Sequence, residues 1–229
     1  MRRYIFPPLV FPFFLLLIIL PFFILLFVLT TPTVFQIVFG LSYVDALTIF
    51  TLIILGSFIN IPVYEKEGRV VVGRYSFFGI IYYTITERRR IVIAVNLGGC
   101  LLPSILAIKV LMEVPFIPWL ITFLICSTLI YYYAKPIPGL GIAVPMFVPP
   151  LLSAFISYVV ISAFSLPLLI LPKMAFSTGV LSALFGADIL HLKDIERIGS
   201  GVVSIGGAGT FDGIFLTGVF AVVFSLLLL

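Results

Sequence analysis

The chain has 229 residues, of which 62% are hydrophobic and 10% charged, with a mean hydropathy of +1.34. A soluble domain carries roughly 25% charged residues, so this composition cannot clothe a globule in polar surface and makes a lipid bilayer the solvent for most of the chain. The net charge of +4 reads as a consequence of membrane topology and not as a footprint for nucleic acid.

A membrane-crossing helix needs about 20 mainly apolar residues. Seven stretches qualify: 5–30, 38–62, 91–112, 116–134, 142–165, 167–190 and 210–229. The expected fold is an all-α polytopic membrane protein, one transmembrane domain over 1–229. The first stretch is too long for the apolar core of a secretory signal, and no small-x-small cleavage site follows it. It reads as a retained span whose start is bent or delayed by Pro7, Pro8 and Pro12.

Between the second and third stretches lies the one sizeable extramembrane piece, Tyr64–Arg90. Its runs RVVVGRY and GIIYYTIT are rich in β-branched and aromatic residues, with turn signals at Glu67-Gly68 and Gly79. They predict a β-hairpin insertion over 64–90, with Tyr and Phe at the membrane interface. It serves either as a packed lid or as a docking edge for an extended peptide. The third stretch opens on Val95-Asn-Leu-Gly-Gly, and Val203-Ser-Ile-Gly-Gly echoes it before the seventh; five residues are too few to claim a repeat.

Lys135–Pro150, rich in Pro and Gly, delays the fifth helix to about residue 146. Pro167 and Pro172 break the fifth stretch from the sixth. Cys100 and Cys126 both fall inside apolar stretches and act as small hydrophobes, not as a disulfide. Eleven of the 13 Lys/Arg alternate to one side of the spans; only Lys109 and Lys173 fall towards the other. That asymmetry puts the N-terminus in the cytoplasm and the C-terminus outside.

Elimination narrows the chemistry. The single histidine, His191, sits in a loop and reads as solvated. With no HExxH and two separated cysteines, no zinc site can form, and no phosphate-binding loop occurs. No metal or cofactor is expected. Of the nine Asp/Glu, Glu65, Glu67, Glu87, Asp194 and Glu196 lie among basic loop residues, and Glu113 pairs with Lys109 one helical turn earlier. Asp45, Asp188 and Asp212 lie within or at the edge of the membrane, where ionisable groups are costly and are functional candidates. Asp45 is set near the outer face, with Lys173 as a possible partner on a proton or ion path. Asn60 and Asn96 are expected to hydrogen-bond between helices.

Asp188 ends the sixth stretch and Asp212 begins the seventh, on the same face of the membrane. The helix dipole favours ionisation of Asp212 in a first turn and disfavours it for Asp188 in a last turn. A close pair would share one proton and activate water against an amide carbonyl. Gly199, Gly201, Gly206, Gly207 and Gly209 would let substrate and water approach the backbone. Structurally, Thr210 also suits a helix cap with Asp212 in the first turn, and Asp188 can mark a water boundary.

The segments IAVNLGGCLLPS, GLGIAVPMFVPPL, LFGADIL and SIGGAGTFDGIFLTG resemble an uncharacterised family of archaeal and bacterial multi-span membrane proteins, catalogued as a domain of unknown function. The resemblance runs over most of the chain after about residue 55 and brings no established activity. More distantly, the chain is similar to the GxGD intramembrane aspartyl proteases: presenilins, signal peptide peptidases and prepilin peptidases. That resemblance implies a catalytic pair of Asp188 and Asp212. It also implies a substrate groove shaped by Gly206, Gly207, Gly209, Thr210, Pro145, Pro149 and Pro150. Two residues are inserted before Asp212 relative to the GxGD pattern, and no tyrosine precedes Asp188.

The resulting expectation is an intramembrane aspartyl protease-like protein of the cell membrane. It would hydrolyse peptide bonds of membrane-embedded helical substrates, with the lipid bilayer as its other partner. Two further readings stand beside it: a non-catalytic scaffold that binds partners through Tyr64–Arg90, and a small ion or solute transporter.

Overall fold

A computed structural model describes residues 10–77, 81–137, 141–194, 201–207 and 213–229. The chain forms two compact units, Met1–Phe50 and Thr51–Leu229. It is a mainly helical membrane protein. Among the described residues, three helices are long and apolar enough to cross a bilayer, Leu17–Phe39, Phe116–Tyr133 and Leu168–Asp194, and four shorter apolar helices accompany them.

In the first unit, α1 (Val10–Phe39) runs nine residues past the expected end at 30 and carries Pro21 and Pro32 inside it. The polar run Thr30-Thr31-Pro32 lies inside the helix, and both hydroxyls bond back to the Phe27 carbonyl, Thr31 at 2.7 Å. The next helix, α2 (Tyr43–Gly56), starts on a Ser42 cap. The Asp45 backbone N–H donates to Ser42 Oγ at 3.2 Å, and Ser42 Oγ donates to Asp45 Oδ2 at 2.7 Å. Asp45 thus ties down its own helix start.

The second expected span, 38–62, is shorter than its hydropathy suggests. After Gly56 the chain turns and enters β1 (Asn60–Phe77), which pairs antiparallel with β2 (Ile81–Asn96). The third expected span, 91–112, is likewise strand up to Asn96. The β-branched run Ile91–Val95 continues the hairpin and is not the start of a helix. β5 (Gly201–Ile205) adds to β2 in parallel, Ile91 opposite Gly201 and Val95 opposite Ile205, giving the order β1-β2-β5.

A π-helical turn, Leu97–Leu101, leads from β2 into α3 (Leu102–Leu111), followed by α4 (Phe116–Tyr133). A two-stranded ribbon, β3 (Lys135–Ile137) with β4 (Gly141–Ala143), precedes α5 (Val148–Ala163). A single turn of 3₁₀ helix, Leu168–Ile170, leads into α6 (Leu171–Ala183). The expected break between fifth and sixth spans is here, with Ser165 at φ 50° between α5 and α6. α6 runs on as a π-helical turn, Leu184–Asp188, and a 3₁₀ segment, Ile189–Asp194. The last helix is α7 (Gly213–Leu226).

Apolar packing centres on Val114, Trp119, Val160, Ile161, Leu171 and Met174, with a second cluster at Cys126, Ile130, Ala134 and Ala187. Buried polar side chains fix which helices meet. Trp119 Nε1 donates to Ser177 Oγ at 3.0 Å, and Ser177 Oγ donates to the Ala107 carbonyl at 2.8 Å, joining α4, α6 and α3. Ser157 and Thr178 hydroxyls meet at 3.3 Å between the antiparallel α5 and α6. Glu113 pairs with Lys173 at 2.6 Å, joining the end of α3 to the start of α6; this replaces the expected local pair with Lys109. α7 lies against α6 at Gly218, where any Cβ would crowd Val180 and come within 3.0 Å of the Phe176 ring. Small residues at such contacts are how apolar helices approach without a hydrophobic drive.

Candidate functional site

Among the described residues of the second unit, polar side chains converge at the root of the β1–β2 hairpin. Asn96, the last residue of β2, is 1% exposed and uses its whole amide. Its Nδ2 donates to the Ser57 carbonyl at 2.7 Å and to Asn60 Oδ1 at 3.0 Å. Its Oδ1 accepts from Gly99 N at 2.7 Å and so caps the π-helical turn. Asn60 Oδ1 also accepts from Ser204 Oγ at 2.5 Å. One asparagine pair therefore ties the end of α2, both hairpin strands, the start of α3 and β5 together. Buried amides of this kind are retained only when fully bonded.

Ser204 was not singled out in the sequence, and the Asn pair was expected between helices. The signal that pointed here was the echo of Val95-Asn-Leu-Gly-Gly in Val203-Ser-Ile-Gly-Gly. In the structure the two segments start on neighbouring parallel strands, with Val95 opposite Ile205, two residues out of step with the echo.

Gly206 and Gly207, expected to admit substrate, sit in this junction. Gly206 adopts φ +74°, and a Cβ there would overlap Cys100. A Cβ on Gly207 would overlap the Ser204 hydroxyl and lie 3.0 Å from Asn60 Oδ1. Gly206 lets the end of β5 close on the π-helical turn, and Gly207 leaves room for the Ser204–Asn60 bond. The expected groove prolines also have local tasks. The Pro145 carbonyl accepts from Val148 N at 3.0 Å. Pro149 and Pro150 are buried in the first turn of α5, where a missing N–H is harmless, and the Pro149 carbonyl accepts from Ser153 Oγ at 2.8 Å.

Asp188, half-buried, closes the π-helical turn at the end of α6. Its neighbour His191 is buried and not solvated. His191 Nδ1 lies 2.9 Å from the Ala187 carbonyl and 3.2 Å from that of Gly186, so this nitrogen carries the proton and donates. The imidazole packs on Tyr131 of α4, centroids 4.6 Å apart, and Lys193 Nζ lies 5.8 Å from the centre of the same tyrosine ring. The histidine thus fastens the turn that carries Asp188 to α4.

Asp212, Gly209 and Thr210 lie outside the described residues. Phe147, at the start of α5, packs edge-on to Phe220 and Phe224, centroids 5.9 and 6.4 Å apart.

No curated protein and no solved structure matches this chain. A family model described as "protein of unknown function (DUF1614)" matches residues 54–224. The match takes in the hairpin, its root and every helix from α3 to α7, and the chain belongs to that family.

Proposed function

We propose that this is a seven-span membrane protein, N-terminus in the cytoplasm and C-terminus outside, that acts as a non-catalytic scaffold and meets its partners through the cytoplasmic β1–β2 hairpin. The observation that carries this reading is the build of the hairpin. Its strands stay paired from Asn60–Asn96 out to Phe77–Ile81, and its root is held by the Asn60–Asn96–Ser204 junction. A lid needs no such reach, whereas a presented surface needs a fixed base. The local tasks of Gly206, Gly207, Pro145, Pro149 and Pro150 support the same reading, since they account for these residues without a substrate.

Complementation of a deletion strain separates the readings. A chain carrying Asp188→Asn and Asp212→Asn together is expected to restore the lost phenotype. A chain with residues 68–89 replaced by a two-residue turn is expected to fail. The opposite pattern would return the function to the aspartates.

The second reading is the intramembrane aspartyl protease with Asp188 and Asp212 as its dyad and membrane-embedded peptides as substrates. The π-helical turn at Asp188 favours it, because such turns recur at functional sites. Cleavage of a helical substrate by purified protein, abolished by either Asp→Asn variant, is its test.

A further inference from the structure

The helices of the second unit are short for the layer they cross. A hydrocarbon core of about 30 Å takes about 20 helical residues. α5 has 16 residues and α4 has 18, which rise about 24 and about 27 Å. Leu97–Leu111, the π-helical turn together with α3, rises about 22 Å. α6 is longer, but its charges bound it. From Lys173 to Asp188 its axis climbs at most about 22 Å.

Two polar levels close this band. At one, Tyr132 and Tyr133 stand exposed at the end of α4, and Lys135 opens the β3–β4 ribbon. Exposed tyrosine belongs at a membrane–water interface. No third strand joins the ribbon among the described residues, and open strand edges are excluded from hydrocarbon. α5 accordingly starts only at Val148, after the ribbon. At the other level Lys173 and Glu113 form a partly exposed ion pair at 2.6 Å between α6 and α3. Residues 112–115 and 164–167 leave the helical conformation there. Between the levels Ile117, Ile121 and Leu124 of α4 and Leu151, Phe155 and Val159 of α5 are exposed, an apolar belt with no charge in it.

The usual adjustments do not lengthen this belt. Tilt shortens a helix's reach along the membrane normal. Snorkelling needs a long free stem, whereas the Lys173 amine is held by Glu113 and Asp188 has a short side chain at the close of a π-helical turn. Met112, next to Glu113, and Leu169, one turn before Lys173, are exposed. Single apolar residues at a boundary are ordinary, but charge in hydrocarbon is costly.

We propose that α3 to α6 form a belt matched to a thin bilayer, with a hydrocarbon core of about 22–27 Å, and that the partner of this belt is phospholipid with short acyl chains. This rests on the seven-span reading and adds the lipid that the spans select. In a bilayer of ordinary thickness the protein thins the lipid around it or is sorted away from it.

Thermal unfolding of the full chain in phosphatidylcholine bilayers of increasing acyl length tests it. The midpoint is expected to be highest with myristoleoyl or palmitoleoyl chains, lower with oleoyl, and roughly 5 °C below its maximum with erucoyl chains. The variant Lys109→Leu/Glu113→Leu/Lys173→Leu removes every charge at the second level and leaves α6 uncharged from Leu168 to Ala187, about 30 Å. Its maximum is expected to move to the oleoyl bilayer. A parent maximum in oleoyl or erucoyl lipid, or a midpoint indifferent to chain length, overturns the proposal whether or not the variant folds. So does a thin-bilayer maximum that a cooperatively melting variant retains. Maleimide labelling of cysteines introduced at Glu113 and Lys135 checks the spans separately. Labelling from opposite sides with a thick-bilayer maximum overturns this proposal alone, and labelling from the same side overturns the topology with it.

Discussion

At the scale of single residues, the polar side chains that matter most are those with no charge. Asn96 makes three hydrogen bonds from a buried position. Replacing it by alanine leaves the Gly99 N–H and the Ser57 carbonyl without their partner. A buried donor left alone costs about 1–3 kcal/mol. Asn96→Ala is therefore expected to lower the thermal midpoint of the detergent-solubilised protein clearly, and an unchanged midpoint would mean that the junction does not hold the root. Asp45 is the contrast. Its carboxylate is exposed and serves the start of α2. Asp45→Ala should cost about 0.3–1 kcal/mol, the value of an acidic side chain in a helix's first turn. Liposome flux, if any is found, should be indifferent to it; flux that depends on Asp45 would restore the ion-path reading. Both asparagines and Asp45 are visible in the sequence as polar residues in apolar surroundings. Their partners are not. Ser57, Asn60 and Ser204 meet Asn96 or each other only because three strands converge, and Ser204 stands 144 residues from Asn60.

Two π-helical turns shape the start of α3 and the end of α6. Leu97–Leu101 turns β2 into α3, and Leu184–Asp188 lets α6 run on to the 3₁₀ segment that carries His191. An inserted residue per turn leaves a carbonyl out of the regular ladder. Asn96 and His191 each supply a side chain at one of these turns. Such turns follow from packing and leave no mark in hydropathy, so the sequence reads them as plain helix. The α6–α7 contact is another matter of elements. Gly218 has no room for a side chain against Val180 and Phe176. Gly218→Leu should push the helices apart at a cost of about 1–3 kcal/mol, seen as a lower melting temperature with the hairpin's hydrogen exchange unchanged. Gly218→Ala should fall between the two. A leucine variant as stable as the parent would show that this contact is slack.

For the whole molecule, the proposed topology makes a plain prediction. Cys100 and Cys126 are buried, so single cysteines can be introduced on a nearly silent background. A membrane-impermeant maleimide added to intact cells should label cysteines at Glu113 and Lys173, which are partly exposed. It should leave cysteines at Gly73 and Lys135 unlabelled until the membrane is opened. Labelling of Gly73 from outside would invert the arrangement and remove the cytoplasmic hairpin.

Hydropathy by itself determined that this chain lives in lipid, because 10% charge cannot coat a globule, and it located helix α4 almost to the residue. β-branched runs in Tyr64–Arg90 pointed to a hairpin. The sequence could not say that the hairpin begins at Asn60 and ends at Asn96, since apolar residues such as Ile91–Val95 serve a buried strand and a lipid-facing helix equally. Only tertiary structure decided between them. β5 arrives from more than a hundred residues away to pair with Ile91–Val95, and a backbone whose hydrogen bonds are met by a neighbouring strand has no need to form a helix.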